Sequence, residues 1–168
     1  MAPPAPHALD SPGHAPPTPM TPTDHPTPPA APRSHLGWRL LGLGYDLFPA
    51  FGLWFLVAAI FVALRGDAIT GGAWGLAEFL ALWLVTGAYA VASWRRGGQT
   101  LGMRPWRLKV VAADGSPAPL PALCARYAVG SVSLLALGAG FWWALVDRDR
   151  LTWHDRASGT RVIRLAKA

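Results

Sequence analysis

Three long apolar blocks, at residues 38–64, 73–94 and 120–146, limit what this chain can fold into. Each exceeds the ~20 residues that a helix needs to cross a hydrocarbon core of ~30 Å. The connector at 65–72 is short and glycine-rich, so the first two blocks predict a transmembrane helical hairpin. Only 14% of all residues are charged, against roughly 25% in a soluble domain. We therefore predict an all-α membrane protein.

The first 34 residues differ from the rest of the chain. They contain twelve of the 17 prolines and almost no large apolar side chains, a composition that does not fold into a packed core. We predict a disordered, proline-rich tail over residues 1–34 and a membrane domain over residues 35–168. The histidines of this region do not share a preformed element, so we expect no metal site at His7, His14, His25 and His35.

The basic residues predict how the hairpin is oriented. A formal net charge of +6 could indicate a nucleic-acid partner, but these cations lie beside the apolar blocks, where they meet anionic lipid headgroups. The connector holds only Arg65, which Asp67 offsets. The loop at 95–119 holds five cations, namely Arg95, Arg96, Arg104, Arg107 and Lys109. By the positive-inside rule we expect a cytoplasmic N-terminus, a cytoplasmic loop 95–119 and no nucleic-acid partner.

The third block, residues 120–146, allows two topologies. One crossing would leave the basic C-terminal segment, residues 147–168, on the outer side. Residues 107–113 and 160–165 both alternate as strands do, and they can pair in a small two-stranded cytoplasmic ribbon only if they share a side. We favour an interfacial helix followed by a short re-entrant or shallow helix. A plain third crossing remains the alternative.

Charged residues in or next to the blocks are candidate functional residues, because each costs ~2.5–3.5 kcal/mol on insertion scales. Asp46 needs a cationic partner, for which we expect Arg126 or Arg39. Arg39 could instead bind a lipid phosphate or reach Asp155. These four charges form either a transport site or a structural clamp between helices. Glu78, in the first turns of the second block, could line an outer pathway or extend towards the headgroups.

Several motifs occur in an order that resembles the RDD family, named for one arginine and two aspartates. They read Arg39-Leu-Leu-Gly-Leu-Gly-Tyr-Asp46, then Gly98-Gln-Thr-Leu-Gly-Met103, then Leu151-Thr-Trp-His-Asp-Arg-Ala-Ser-Gly-Thr160. The resemblance covers about residues 36–165 and assigns the triad to Arg39, Asp46 and Asp155. Met103 stands where the family usually has lysine, so a role for that lysine does not carry over. The resemblance implies an integral membrane protein, for which transport of ions or other ligands is proposed in some members.

Two functions remain open. The first is a subunit of an ion or small-solute transporter, with Asp46 as the intramembrane carboxylate; two or three helices are few for a conduit, so it implies an oligomer. The second is a non-catalytic membrane module that binds lipid or a protein partner, with the triad as its clamp. We rank transport slightly first, because placing the ionisable side chain of Asp46 inside a membrane span costs free energy and so calls for a function. We expect no enzymatic activity and no cofactor, and we expect the bacterial inner (plasma) membrane as the location.

Overall fold

The computed structural model of the chain describes Met1, residues 35–68 and residues 71–166. Apart from Met1, the predicted disordered tail lies outside the described residues. The described elements belong to the unit formed by residues 32–168. In chain order they are α1 (Leu36–Arg65), α2 (Gly72–Gly97), β1 (Leu108–Ala112), α3 (Leu120–Leu135), α4 (Ala139–Val146), α5 (Trp153–Ser158) and β2 (Thr160–Arg164).

Helices α1 and α2 pack against each other as the predicted hairpin. They contain 30 and 26 residues, so at ~1.5 Å per residue both exceed the thickness of a hydrocarbon core. Each ends at a glycine in the left-handed region, Gly66 (φ 82°) and Gly98 (φ 73°), a conformation that glycine adopts at little cost. Both helices are long and apolar enough to cross a membrane. The predicted, mostly helical chain with two such helices is confirmed.

The third apolar block forms two helices instead of one. Helices α3 and α4 meet at a bend of 97°, where Leu137 (φ 54°) and Gly138 (φ 77°) both have left-handed backbones. Just beyond the bend, a Cβ on Gly140 would collide with the side chain of Ser133, so α4 folds closely back on α3. A single straight helix over residues 120–146 is therefore not formed.

The predicted ribbon is present. Strands β1 and β2 pair antiparallel, with Leu108 opposite Arg164 and Ala112 opposite Thr160. Leu108 and Val110 are almost fully buried, because one face of the ribbon packs against the ends of α1 and α2. The ribbon joins two segments that are about fifty residues apart, one before α3 and one after α5. Both ends of the α3–α4–α5 segment are therefore close together.

Candidate functional site

Asp155 lies in the first turn of α5, and a capping box holds it there. Thr152 is the N-cap residue: its hydroxyl oxygen accepts from the Asp155 N–H at 3.3 Å, and its own N–H donates to Asp155 Oδ2 at 3.1 Å. A threonine followed three residues later by an acidic residue favours this reciprocal cap. The cap fixes the carboxylate at the buried side of α5, where Asp155 is only 1% exposed.

Two arginines from different helices bind this carboxylate. Arg39, in the first turn of α1, donates from Nη2 to both carboxylate oxygens at 2.7 Å. Arg126, in α3, donates from Nη1 to Oδ1 at 2.6 Å and to the Thr160 hydroxyl at 2.7 Å. Both arginines are less than 10% exposed. We call Arg39, Arg126 and Asp155 the arginine–aspartate clamp, because one carboxylate joins α1, α3 and α5.

Burial and the two arginines of the clamp set the charge states of Asp155 and of the neighbouring His154. Burial alone would raise the pKa of the Asp155 carboxyl, but Arg126 and Arg39 outweigh burial and hold that pKa well below its usual value. Burial, reinforced by the same two guanidinium groups, lowers the pKa of His154 to about 3. His154 Nε2 lies 3.4 Å from Arg39 Nη2. Since arginine can only donate, Nε2 is the acceptor and His154 is a neutral ring.

Asp46 is not part of this clamp. Its carboxylate accepts from the Tyr89 hydroxyl and from the Gly102 N–H, each at 2.8 Å, and from the Thr100 hydroxyl. Tyr89 belongs to α2, while Thr100 and Gly102 belong to the turn that follows it. Three neutral donors from α2 and this turn therefore satisfy the half-buried Asp46 carboxylate of α1, since a polar group withdrawn from water needs hydrogen-bond partners.

The expected pairing of Asp46 with Arg126 or Arg39 is wrong. No salt bridge joins Asp46 to a cation within the described part of the chain. Both arginines are directed to Asp155 instead, which was one of the partners considered for Arg39. The physical reason is that Asp155 is the more deeply buried carboxylate and has fewer neutral donors, so it requires the guanidinium groups more strongly.

Glu78 lies far along the hairpin from both Asp46 and Asp155. It is half-buried in the second turn of α2, eleven residues and ~16 Å along the axis from Tyr89. It forms no ion pair with another described residue, and it does not line the cavity described next. The structure therefore does not bring Glu78 together with the other candidate residues.

A cavity of about 980 Å³ lies beside the clamp, with walls from α1, α2 and α3. Its polar residues include Arg39, Asp46, Arg126 and His154, and the hydroxyl groups of Thr86 and Ser131 lie further along α2 and α3. The rest of its wall is mostly apolar or aromatic. Representative members are Leu47, Trp54, Phe79, Leu80, Trp83, Met103, Tyr127, Val132, Leu135 and Phe141. Met103 thus contributes apolar surface to this cavity.

Two long apolar helices and a charge clamp at one end of the hairpin define a small membrane protein. The chain belongs to the RDD family, which matches residues 33–159. No curated protein and no solved structure matches it. The matched residues include Arg39, Asp46 and Asp155, of which Arg39 and Asp155 are in direct contact and Asp46 has separate partners.

Several residues of the site were not found from the sequence. Thr152 could have been found, because the threonine three residues before Asp155 fits a capping box. Tyr89 and Thr100 have no local signal, since only the packing of α2 and the following turn against α1 brings them to Asp46. Within the described residues, no group of three or more His, Cys, Asp or Glu side chains could hold a metal ion.

Proposed function

We propose that this protein is a non-catalytic module of the bacterial inner membrane that binds lipid or a membrane-protein partner. In this proposal α1 and α2 cross the bilayer, and the arginine–aspartate clamp attaches the C-terminal segment to them. The observation that carries the proposal is the buried Asp155 carboxylate, bound by Arg39 and Arg126 from two separate helices. A buried carboxylate that is bound by two guanidinium groups is typical of a structural contact between helices. This supports a non-catalytic role for the clamp.

We propose that the N-terminus and the ribbon lie on the cytoplasmic side. The distribution of basic residues supports this orientation. The pairing of β1 with β2 supports a shallow α3–α4 segment that enters and leaves on one side, because a full third crossing would separate the strands. The bend is strongly apolar, with Leu135 80% and Leu137 92% exposed, as expected for a turn that enters the lipid.

The contacts of Asp46 favour the module over a conduit. Its carboxylate is already bound by three neutral donors, and the cavity beyond it is lined mainly by aliphatic and aromatic side chains. An ion that left water would find few oxygen ligands along this wall. The exposed apolar faces of α1 and α2 instead suit lipid, a partner helix or further copies of the chain.

A second candidate function, transport of an ion or small solute, is favoured by one observation: Asp46 lies within α1 and lines the cavity. A flux assay separates the two candidates. Purified protein is reconstituted into liposomes, and the movement of H⁺, Na⁺ and K⁺ is measured for the native chain and for Asp46→Asn. The module predicts that neither sample exceeds protein-free liposomes. Flux that the native chain supports and Asp46→Asn abolishes would establish transport instead.

A further inference from the structure

We propose that the cavity beside the clamp binds one oxyanion, a carboxylate or a phosphate, through the free donors of Arg39 and Arg126. These arginines line the cavity together with His154 and Trp94, and we call this part of it the basic end. The inference rests on the proposed function of a binding module and names the chemistry of one ligand. The charges of the clamp, the unused guanidinium nitrogens and the donors around them carry the argument.

The clamp contains one more positive charge than negative charge. Arg39 and Arg126 share the single carboxylate of Asp155, and the neighbouring His154 ring is neutral. A buried cation without a counter-ion of its own is costly, so a second anion at the basic end is stabilised by the clamp.

Asp46 does not supply this second anion. It lines the same cavity, but it lies seven residues, or ~10 Å along α1, from Arg39. It forms no ion pair within the described part of the chain. Its carboxylate accepts from three neutral donors instead. The excess positive charge of the clamp therefore remains at the basic end.

Each guanidinium group uses only one of its three nitrogens. Arg39 donates from Nη2 alone and Arg126 from Nη1 alone, which leaves Nε and the other terminal nitrogen of each without a partner. Their side chains are 6% and 5% exposed. The described side-chain atoms that are both unpaired and sealed from solvent include none of these four nitrogens. Because both arginines line the cavity, we infer that their free donors open into it.

The other unpaired polar groups at the basic end are donors as well. Trp94 Nε1 and His154 Nδ1 are buried and have no hydrogen-bond partner. Since His154 Nε2 accepts from Arg39, Nδ1 carries the proton of the neutral ring. The Cζ atom of Arg126 lies 5.6 Å from the centroid of the Trp94 ring, which holds the guanidinium group at the cavity wall. A group of donors without acceptors selects a ligand that only accepts, and an oxyanion does so most strongly.

The oxyanion has two possible sources. A free phosphate ion would need only the basic end. A carboxylate attached to a hydrocarbon chain would also contact the apolar wall, which makes up most of this cavity of about 980 Å³. Burial of apolar surface adds to affinity, so we expect the carboxylate with a chain to bind more tightly than the free ion.

Equilibrium dialysis of the full chain in a nonionic detergent measures this binding directly. The probes are radiolabelled laurate and radiolabelled inorganic phosphate at constant ionic strength, and protein-free micelles give the background. We expect one laurate per chain and weaker binding of phosphate. Excess phosphate should displace laurate, because both use the donors of the basic end.

Variants of the basic end test which groups bind the anion. Arg126→Gln leaves one guanidinium group for one carboxylate, so it should weaken laurate binding about tenfold or more, the effect of one charge-assisted hydrogen bond. Trp94→Phe removes one N–H donor, keeps an aromatic ring beside Arg126 and should weaken binding about threefold. Asp155→Asn should tighten binding, because both guanidinium groups then lack an internal anion.

Arg95→Gln is the matched control. Arg95 is exposed, has no acidic partner among the described residues and does not line the cavity. Its removal changes the net charge as Arg126→Gln does, so it reports attraction of the anion to surface cations. We expect unchanged laurate binding. Helical circular dichroism establishes that each variant remains folded.

Other results would overturn the inference. These are the absence of saturable binding to the native chain, and equal losses in Arg126→Gln and Arg95→Gln. Laurate that phosphate does not displace would occupy the apolar wall without using the basic end. Unchanged binding by Trp94→Phe would contradict the inference even if Arg126→Gln fails to fold. Failure of the anion site would leave the proposed module standing, because the module is tested by flux and by the unfolding of clamp variants.

Discussion

Asp155 accepts hydrogen bonds from two guanidinium groups while it also caps its own helix. A buried carboxylate without a partner is costly, and so is a buried guanidinium. Asp155 therefore stabilises the structure only while Arg39 and Arg126 are both present. The neutral His154 ring beside them belongs to the same arrangement, because a third positive charge next to two arginines would be repelled.

The lowered pKa of His154 predicts how stability depends on pH. The ring titrates near 6.5 in the unfolded chain and at about 3 in the folded chain. Between these values the unfolded state binds more protons, so the free energy of unfolding falls as pH decreases through this range, by up to about 1.4 kcal/mol per pH unit. The pKa of Asp155 is also lowered, from 3.8, so its contribution is lost only at the acid end of the range.

Unfolding of the purified protein, measured as a function of pH, tests this dependence. His154→Gln should reduce the slope above pH 4, because it removes the group whose pKa differs most between the folded and unfolded chain. A native slope that His154→Gln does not change would show that the ring is charged in the fold or plays no part in the dependence.

At the scale of elements, the turn after α2 is a close contact with α1. A Cβ on Gly102 would collide with the Gly42 carbonyl oxygen and would lie 2.7 Å from Asp46 Cγ. The same glycine donates its N–H to Asp46. The absence of a side chain at Gly102 thus permits the two backbones to approach closely enough for this hydrogen bond.

Gly102→Ala should therefore destabilise the fold by about 1–3 kcal/mol, the usual cost of overpacking a tight contact. The measurement is the free energy of unfolding in detergent. Gly97→Ala is the matched control, because a Cβ at Gly97 meets open space. Equal stability of the two variants would mean that the turn is not packed against α1 as described.

At the scale of the whole molecule, the ribbon brings together the two ends of the segment that contains α3 and α4. If this segment is shallow, positions before and after it lie on the same side of the membrane. Single cysteines at Pro117 and Ala166, in a chain with Cys124→Ala, should both resist an impermeant thiol reagent applied to intact cells. A cysteine at Asp67, in the connector of the hairpin, should react.

Labelling at Ala166 without labelling at Pro117 would demonstrate a third full crossing. It would also contradict the pairing of β1 with β2 in the membrane-inserted protein. Failure of the Asp67 variant to react would instead contradict the orientation of the hairpin.

Much of this fold could be predicted from the sequence, and the contacts of Asp46 could not. The hairpin followed from uninterrupted apolar blocks, and the ribbon followed from alternation in two distant segments. The need for the two alternating segments to share a side favoured an interrupted third block, although the angle of the bend depends on how closely α4 packs on Ser133. The partners of Asp46 depend on the packing of α2 and its turn, which local sequence does not specify.

The central claim is that one buried carboxylate joins α1, α3 and α5, and the most direct measurement is the free energy of unfolding of Asp155→Asn. This change keeps the size of the side chain and leaves two buried arginines without their anion. We predict a loss of about 3–5 kcal/mol. Asp149→Asn is the control, because Asp149 forms an exposed pair with Arg156 whose removal should cost about 0–1 kcal/mol. Equal, small effects of the two substitutions would contradict the clamp.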